Sequence, residues 1–264
     1  MTTAPHVLVV GEALVDVVDG IAHPGGSPAN VAVALGRQGV GVTLATQLAD
    51  DEYGELLRAH LTASGVELVI ATATRTSSAT AVLDATGAAS YSFDIEWAPS
   101  FPELPAADVV HVGSFSALSI EPPPGLLSYD INVRPALMPD DALARVERLV
   151  DSATIVKASD EDLAWLYPSL SWQEAAVSLL TRGPQIVWVT LGAEGAIGFT
   201  SSGRFDISAP KVEVVDTIGA GDTFSAGLIG GWLSWGDDWQ RVGEHAAGLA
   251  AQTASRRGAD PPRV

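Results

Sequence analysis

The chain has 264 residues, 47% of them apolar and 17% charged, which suits one large α/β domain or two smaller ones and is too apolar for a disordered chain. A formal charge of −18 repels a phosphate backbone, so no nucleic-acid partner is expected, and an anionic cosubstrate would need local compensation from helix N-termini, basic side chains or cations. The absence of cysteine excludes disulfides, thiolate catalysis and cysteine-based zinc sites, and the five histidines lack metal-binding spacing.

Residues 7–10 form an apolar run that stops at Gly11 and predicts a buried parallel strand; a second run covers residues 13–18. Pro24-Gly25-Gly26 predicts a turn, with Ser27 as N-cap and Pro28 as the first residue of a helix that reaches Gln38 and ends at Gly39. Residues 42–46 read as a strand, and Asp51 or Glu52 opens a helix through Leu56, Leu57 and Leu61 that Gly65 terminates. Residues 79–84 and 90–94 flank Thr86-Gly87 and predict a hairpin, a small sheet inserted like a lid. Strands are then expected at 109–112, 126–129, 154–156 and 186–190, and helices at 140–150, 160–167 and 172–182, the last with a Ser171/Glu174 capping box. A hairpin at 196–200 and 204–207 precedes two long helices at 220–235 and 238–256.

Strand–helix alternation predicts an α/β fold, a mostly parallel sheet with helices on both faces. Such sheets bind ligands at the C-terminal ends of their strands, where Asp16, Asp130, Asn132, Lys157 and Thr190 are expected. No stretch is long and apolar enough to span a membrane, and no basic segment followed by an apolar run opens the chain, so a cytoplasmic enzyme without membrane contact is expected.

The segment with most chemical content is Asp216-Thr217-Ile218-Gly219-Ala220-Gly221-Asp222-Thr223-Phe224. Small residues opening a long helix let backbone N–H groups approach an anion, and Asp222 in the first turn can take a proton from an attacking hydroxyl. The plain alternative is an ordinary helix start with a dipole-stabilising aspartate, and physics alone leaves both open. No Walker-type loop occurs, and no G-x-G-x-x-G follows the first strand, which disfavours a dinucleotide oxidoreductase.

This segment, followed by Ala226-Gly227, resembles the C-terminal signature of the ribokinase (PfkB) family of carbohydrate kinases. Gly25-Gly26-Ser27-Pro28-Ala29-Asn30-Val31-Ala32, running on to Gly39, resembles that family's N-terminal signature in the right order. The resemblance implies a single ribokinase-like domain over residues 1–264, with lid segments at about 11–24 and 72–98. It implies ATP-dependent transfer of the γ-phosphoryl group to a sugar hydroxyl. Asp222 would be the base and Gly219, Ala220 and Gly221 the anion hole; Asp16, Gly25, Gly26 and Asn30 would bind sugar hydroxyls.

Asp130-Ile131-Asn132-Val133-Arg134 is similar to a segment of fructokinase-like members, which adds Asn132 and Arg134 to the sugar site; a surface arginine in a turn is the competing reading. Lys157-Ala158-Ser159-Asp160-Glu161-Asp162 resembles the family's Asn-x-x-Glu segment, with Ser159 replacing Asn and Asp162 replacing Glu. Lys157 and Ser159 would then meet the nucleotide, and the shorter Asp162 would reach magnesium through water, although Ser159 and Asp162 equally fit a helix cap. Thr190, Gly192 and Gly195 resemble the nucleotide-side turn, and Ala246, Ala247, Ala250 and Ala251 could admit an adenine face or simply pack closely. Asp216 with Gly258-Ala259-Asp260 resembles the loops that hold a monovalent cation such as K+.

The resemblance makes fructose the leading acceptor, with ribose, ketodeoxygluconate and nucleosides as alternatives. It also implies ATP and Mg2+ as cosubstrate and cofactor, and a homodimer through the lid. A sugar- or nucleotide-binding protein of the same fold without efficient catalysis stays open. The chain is short for the family, and residues 114–125 offer only the roughly one dozen residues that a parallel crossover requires, with no helix expected there.

Overall fold

A computed structural model describes residues 4–83 and 89–263, so the Thr86-Gly87 turn lies outside the described residues. The chain opens with β1 (His6–Val10), whose Val7 to Val10 are at most 2% exposed, as a strand covered on both faces must be. Next come β2 (Leu14–Val18) and β3 (Ile21–Gly25), then α1 (Ser27–Arg37), β4 (Gly41–Leu48), α2 (Glu52–Ala63) and β5 (Val66–Thr72). The lid strands β6 (Ser78–Leu83) and β7 (Ala89–Asp94) follow. After them come β8 (Val109–Gly113), the single helical turn α3 (Ser114–Ala117), β9 (Leu126–Asp130) and α4 (Ala142–Ser152). The remainder is β10 (Ile155–Ser159), α5 (Asp160–Leu166), α6 (Trp172–Leu180), β11 (Ile186–Thr190), β12 (Ala196–Thr200), β13 (Gly203–Ile207), α7 (Ala220–Trp235) and α8 (Trp239–Ala254).

The main sheet has nine strands in the order β13-β12-β11-β10-β9-β8-β1-β4-β5, parallel except for the β12–β13 hairpin edge. One face carries Leu8, Val10, Val110, Val112, Tyr129 and Val156 against α4, α5 and α6. The other face packs against α1, α2, α7 and α8 through residues such as Val9, Leu35, Ala226 and Leu228. A four-stranded lid, β3-β2-β6-β7, stands apart from it. Among the described residues no helix is long and apolar enough to cross a membrane.

The structure differs from the sequence reading at several points. Pro24 and Gly25 belong to β3 rather than to a turn, and β3 is an edge strand, where a proline's missing N–H is tolerated. Gly26, at φ 98°, occupies the cap position of α1, and Ser27 is the first helical residue with no capping bond of its own. The β8–β9 crossover does contain a helix, the one turn α3, entered at Ser114 with φ 57°. The expected Ser171/Glu174 capping box forms as read.

Candidate active site

The N-termini of α1 and α7 meet at the C-terminal edge of the sheet. Asp222, in the first turn of α7, is 9% exposed. Ser27 Oγ donates to its Oδ1 at 2.7 Å, and Asn30 Nδ2 donates to its Oδ2 at 2.8 Å. Residues three apart on a helix share a face, so α1 presents both donors together. Ser27 was read only as a cap; its hydroxyl is spent on a carboxylate 195 residues away. Two neutral donors orient Asp222 and leave each oxygen further acceptor capacity, the state a proton acceptor needs.

Gly219 caps α7 in the left-handed region at φ 74°. A Cβ there would lie 2.6 Å from Ala259 Cβ, so the turn before α7 sits directly on the loop after α8. Asp216 fastens the two together, accepting from Ile218 N–H at 3.0 Å and from Gly258 N–H at 2.8 Å. The Ala220 N–H turns back to the Thr217 carbonyl at 3.2 Å, which leaves those of Gly221 and Asp222 for an anion.

Asp16 comes from the middle of β2, opposite His23, and so belongs to the lid rather than to the end of a main-sheet strand. Gly25 on β3 has no side chain because one would overlap the Asp16 carboxylate. Burial pushes the Asp16 carboxyl above its ordinary range, while Arg134 and His23 pull it down and Asp222 pushes it up. Asn132 sits at φ 41°, and its Oδ1 accepts from Arg134 Nη1 at 2.8 Å. Asn30 thus meets Asp222 directly, Asp16 lies against Gly25, and the Asp16 carboxyl feels the charges of both Arg134 and Asp222.

Lys157 Nζ lies 3.1 Å from both carboxylate oxygens of Asp130, its register partner on β9. Ser159 and Asp162 form the capping box of α5, and Asp162 Oδ1 also accepts from Val133 N–H at 2.7 Å. The competing structural reading of this pair is thus realised, and Asp162 ties α5 to the Asn132–Arg134 turn. Thr190 stands beside Ser159 in register. Gly192 is exposed in the following turn, and Gly195 lies where a side chain would collide with the Ile207 carbonyl. Thr190 ends β11, and the two glycines lie in the turn from it to β12.

Glu12, immediately after β1, was not singled out from the sequence. It is 3% exposed, and its Oε2 has no hydrogen-bond partner. Burial pushes its carboxyl from the ordinary 4.5 to about 7, against hydrogen bonds from Ser116 and Ser114 and the attraction of Arg134. An acid with a raised folded pKa holds its proton in the folded chain after the unfolded chain has lost it. Stability therefore falls as pH rises from about 4.5 to about 7 and is flat beyond. Glu12→Gln should remove that fall. Relative to wild type, it should gain roughly 3 kcal/mol at pH 8 compared with pH 4, read from urea melts at the two pH values.

A model of the pfkB family of carbohydrate kinases matches residues 6–263. The chain is 34% identical to a fructokinase of Rhizobium leguminosarum bv. trifolii over 97% of this chain and 87% of that one. The fructokinase of Vibrio cholerae O395, solved with fructose, ADP and a calcium ion, superposes with a TM-score of 0.83 at 28% identity, covering 98% of this chain and 95% of the other. A double mutant of that enzyme, solved with fructose, ADP and a potassium ion, gives 0.82 at 27% identity over 97% and 94% of the two chains. The family match begins within β1 and ends past α8, leaving no described element outside it: this chain belongs to the pfkB family of carbohydrate kinases.

Proposed function

We propose that the chain transfers the γ-phosphoryl group of ATP to a hydroxyl of fructose. The observation that carries this reading is the hold on Asp222, whose carboxylate is aimed by Ser27 and Asn30 beside the free N–H groups of a helix N-terminus. A sugar hydroxyl lying between Asp222 and the γ-phosphorus gives its proton to the carboxylate. The new P–O bond forms while the bond to the ADP oxygen breaks. The N–H groups of Gly221 and Asp222, with the dipole of α7, stabilise the charge that builds on the transferring group.

Asp16, Gly25, Gly26, Asn30, Asn132 and Arg134 hold the sugar in this reading, since polyols need carboxylate, amide and guanidinium partners against open backbone. Ser159, Thr190, Gly192 and Gly195 line the nucleotide side. Among the described residues no three carboxylate or imidazole groups converge on a metal position. A magnesium ion arriving with ATP would thus keep phosphate and water ligands, with Asp162 as an outer contact, and would supply charge neutralisation. Asp216 and the 258–260 loop would frame a monovalent cation. Lid closure excludes water, and a second copy could cover Val18 and Ile21 of the lid, 39% and 60% exposed.

The test is ADP release with fructose, ribose, ketodeoxygluconate and adenosine as acceptors. Fructose should give the highest kcat/KM. Sugar binding without any sugar-dependent ADP release would point instead to a binding protein.

A further inference from the structure

Beneath α7 the sheet carries polar side chains where a covered parallel sheet is ordinarily apolar. His111, Ser128, Asp130 and Lys157 are 0%, 4%, 0% and 6% exposed. The opposite faces of the same strands carry Val110, Val112, Tyr129 and Val156. Ser225, one turn beyond Gly221 on α7, donates its hydroxyl to Asp130 Oδ2 at 2.8 Å. The Lys157 ammonium rests against the turn itself, because a Cβ at Gly221 would lie 3.2 Å from Nζ. Burial works to lower the Lys157 pKa, but the carboxylates of Asp130, Asp162 and Asp222 outweigh it and keep the ammonium charged.

A buried ion pair of this kind is weak evidence for stability. The desolvation of a buried ion pair can match or exceed its attraction, and apolar replacements often serve as well. Its position accounts for it better: it joins the sheet to the one helical turn that must not move.

We propose that Lys157 is a positioning residue of the phosphate cradle: clamped by Asp130, which Ser225 ties to α7, it fixes the first turn of that helix and sets a positive charge beneath Gly221. This rests on the reading of that turn as the site of phosphoryl transfer. The charge acts through the backbone rather than by direct contact with the nucleotide. It matters most where negative charge builds during transfer, so its loss should appear in kcat and not in ground-state binding.

Lys157→Met alone leaves Asp130 buried and unpaired, so the informative variant is Lys157→Met with Asp130→Asn, which removes both charges together. With fructose and ATP, kcat should fall by about 30-fold or more while both KM values stay within roughly threefold. Ser225→Ala keeps the ion pair and cuts only its tie to α7; it should lower kcat by roughly five- to tenfold at unchanged KM. A double variant that turns over normally, or one whose loss lies wholly in KM for ATP, overturns the proposal. If the double variant does not fold, an unchanged kcat in Ser225→Ala overturns it alone. Wild-type turnover measured alongside separates the two ideas, since absence of any sugar-dependent transfer there would count against the kinase reading itself.

Discussion

Asp222→Asn should lower kcat by roughly 10³-fold, within the range a positioned general base contributes, while ATP and fructose affinities stay within a few-fold. The substitution is isosteric. The new amide oxygen can still accept from Ser27 Oγ, now 2.7 Å from Oδ1. The new amide nitrogen faces Asn30 Nδ2, a donor opposed to a donor, until Asn30 flips. The pocket is therefore kept and only the proton acceptor is lost. Steady-state kinetics with fructose, and ATP titration by calorimetry, check the two halves separately. A fall in affinity matching the fall in kcat would assign Asp222 to binding.

Gly219→Ala should damage catalysis through the backbone. The native φ of 74° costs a residue with a Cβ about 1–2 kcal/mol. The added methyl would also meet Ala259 at 2.6 Å from Cβ and 2.9 Å from Cα, backbone that cannot swing away like a side chain. Relief requires the 216–219 turn to lift off the 258–260 loop, which re-aims the N–H groups of Gly221 and Asp222. Removal of a single aimed donor typically costs 10²–10³ in kcat, so a loss of about 10²-fold is expected, with a melting temperature a few degrees lower. Gly236→Ala supplies the control. Gly236 ends the same helix at φ 59° with nothing near its missing Cβ, so it should lose stability and keep kcat.

The architecture was readable where local signals suffice. The runs in β1 and β11 are apolar because both faces are covered, and Gly39 and Gly65 end helices for reasons of their own conformation. β5 went unassigned; it is an edge strand, with Glu67 exposed among half-buried residues, and its pairing to β4 supplies what its composition does not. β3 was hidden by Pro24 and Gly25, which signal turns unless an edge position excuses them.

The site divides in the same way. Asp222 and its turn are one contiguous segment, so the sequence exposes them. The hold of Ser27 on Asp222 joins residues 195 apart, and nothing local separates that role from capping. Asp130 ends β9 and Lys157 sits in the middle of β10, charged residues among mostly apolar neighbours, a signal that each is unusual. Their meeting depends on register, with β9 and β10 aligned so that the two stand side by side. Asp162 shows the reverse. Its fit to a helix cap and its fit to a metal site were equally legible, and the fold displays the cap.

The central claim is that the carboxylate held by Ser27 and Asn30 drives transfer to a sugar hydroxyl. Its most direct test is single-turnover transfer of labelled γ-phosphoryl from ATP, with wild type and Asp222→Asn compared on fructose. The expected result is label on fructose, matched one for one by ADP, at a rate that falls roughly 10³-fold in the variant. Label released to water in the wild type, or transfer by Asp222→Asn at the wild-type rate, would contradict it.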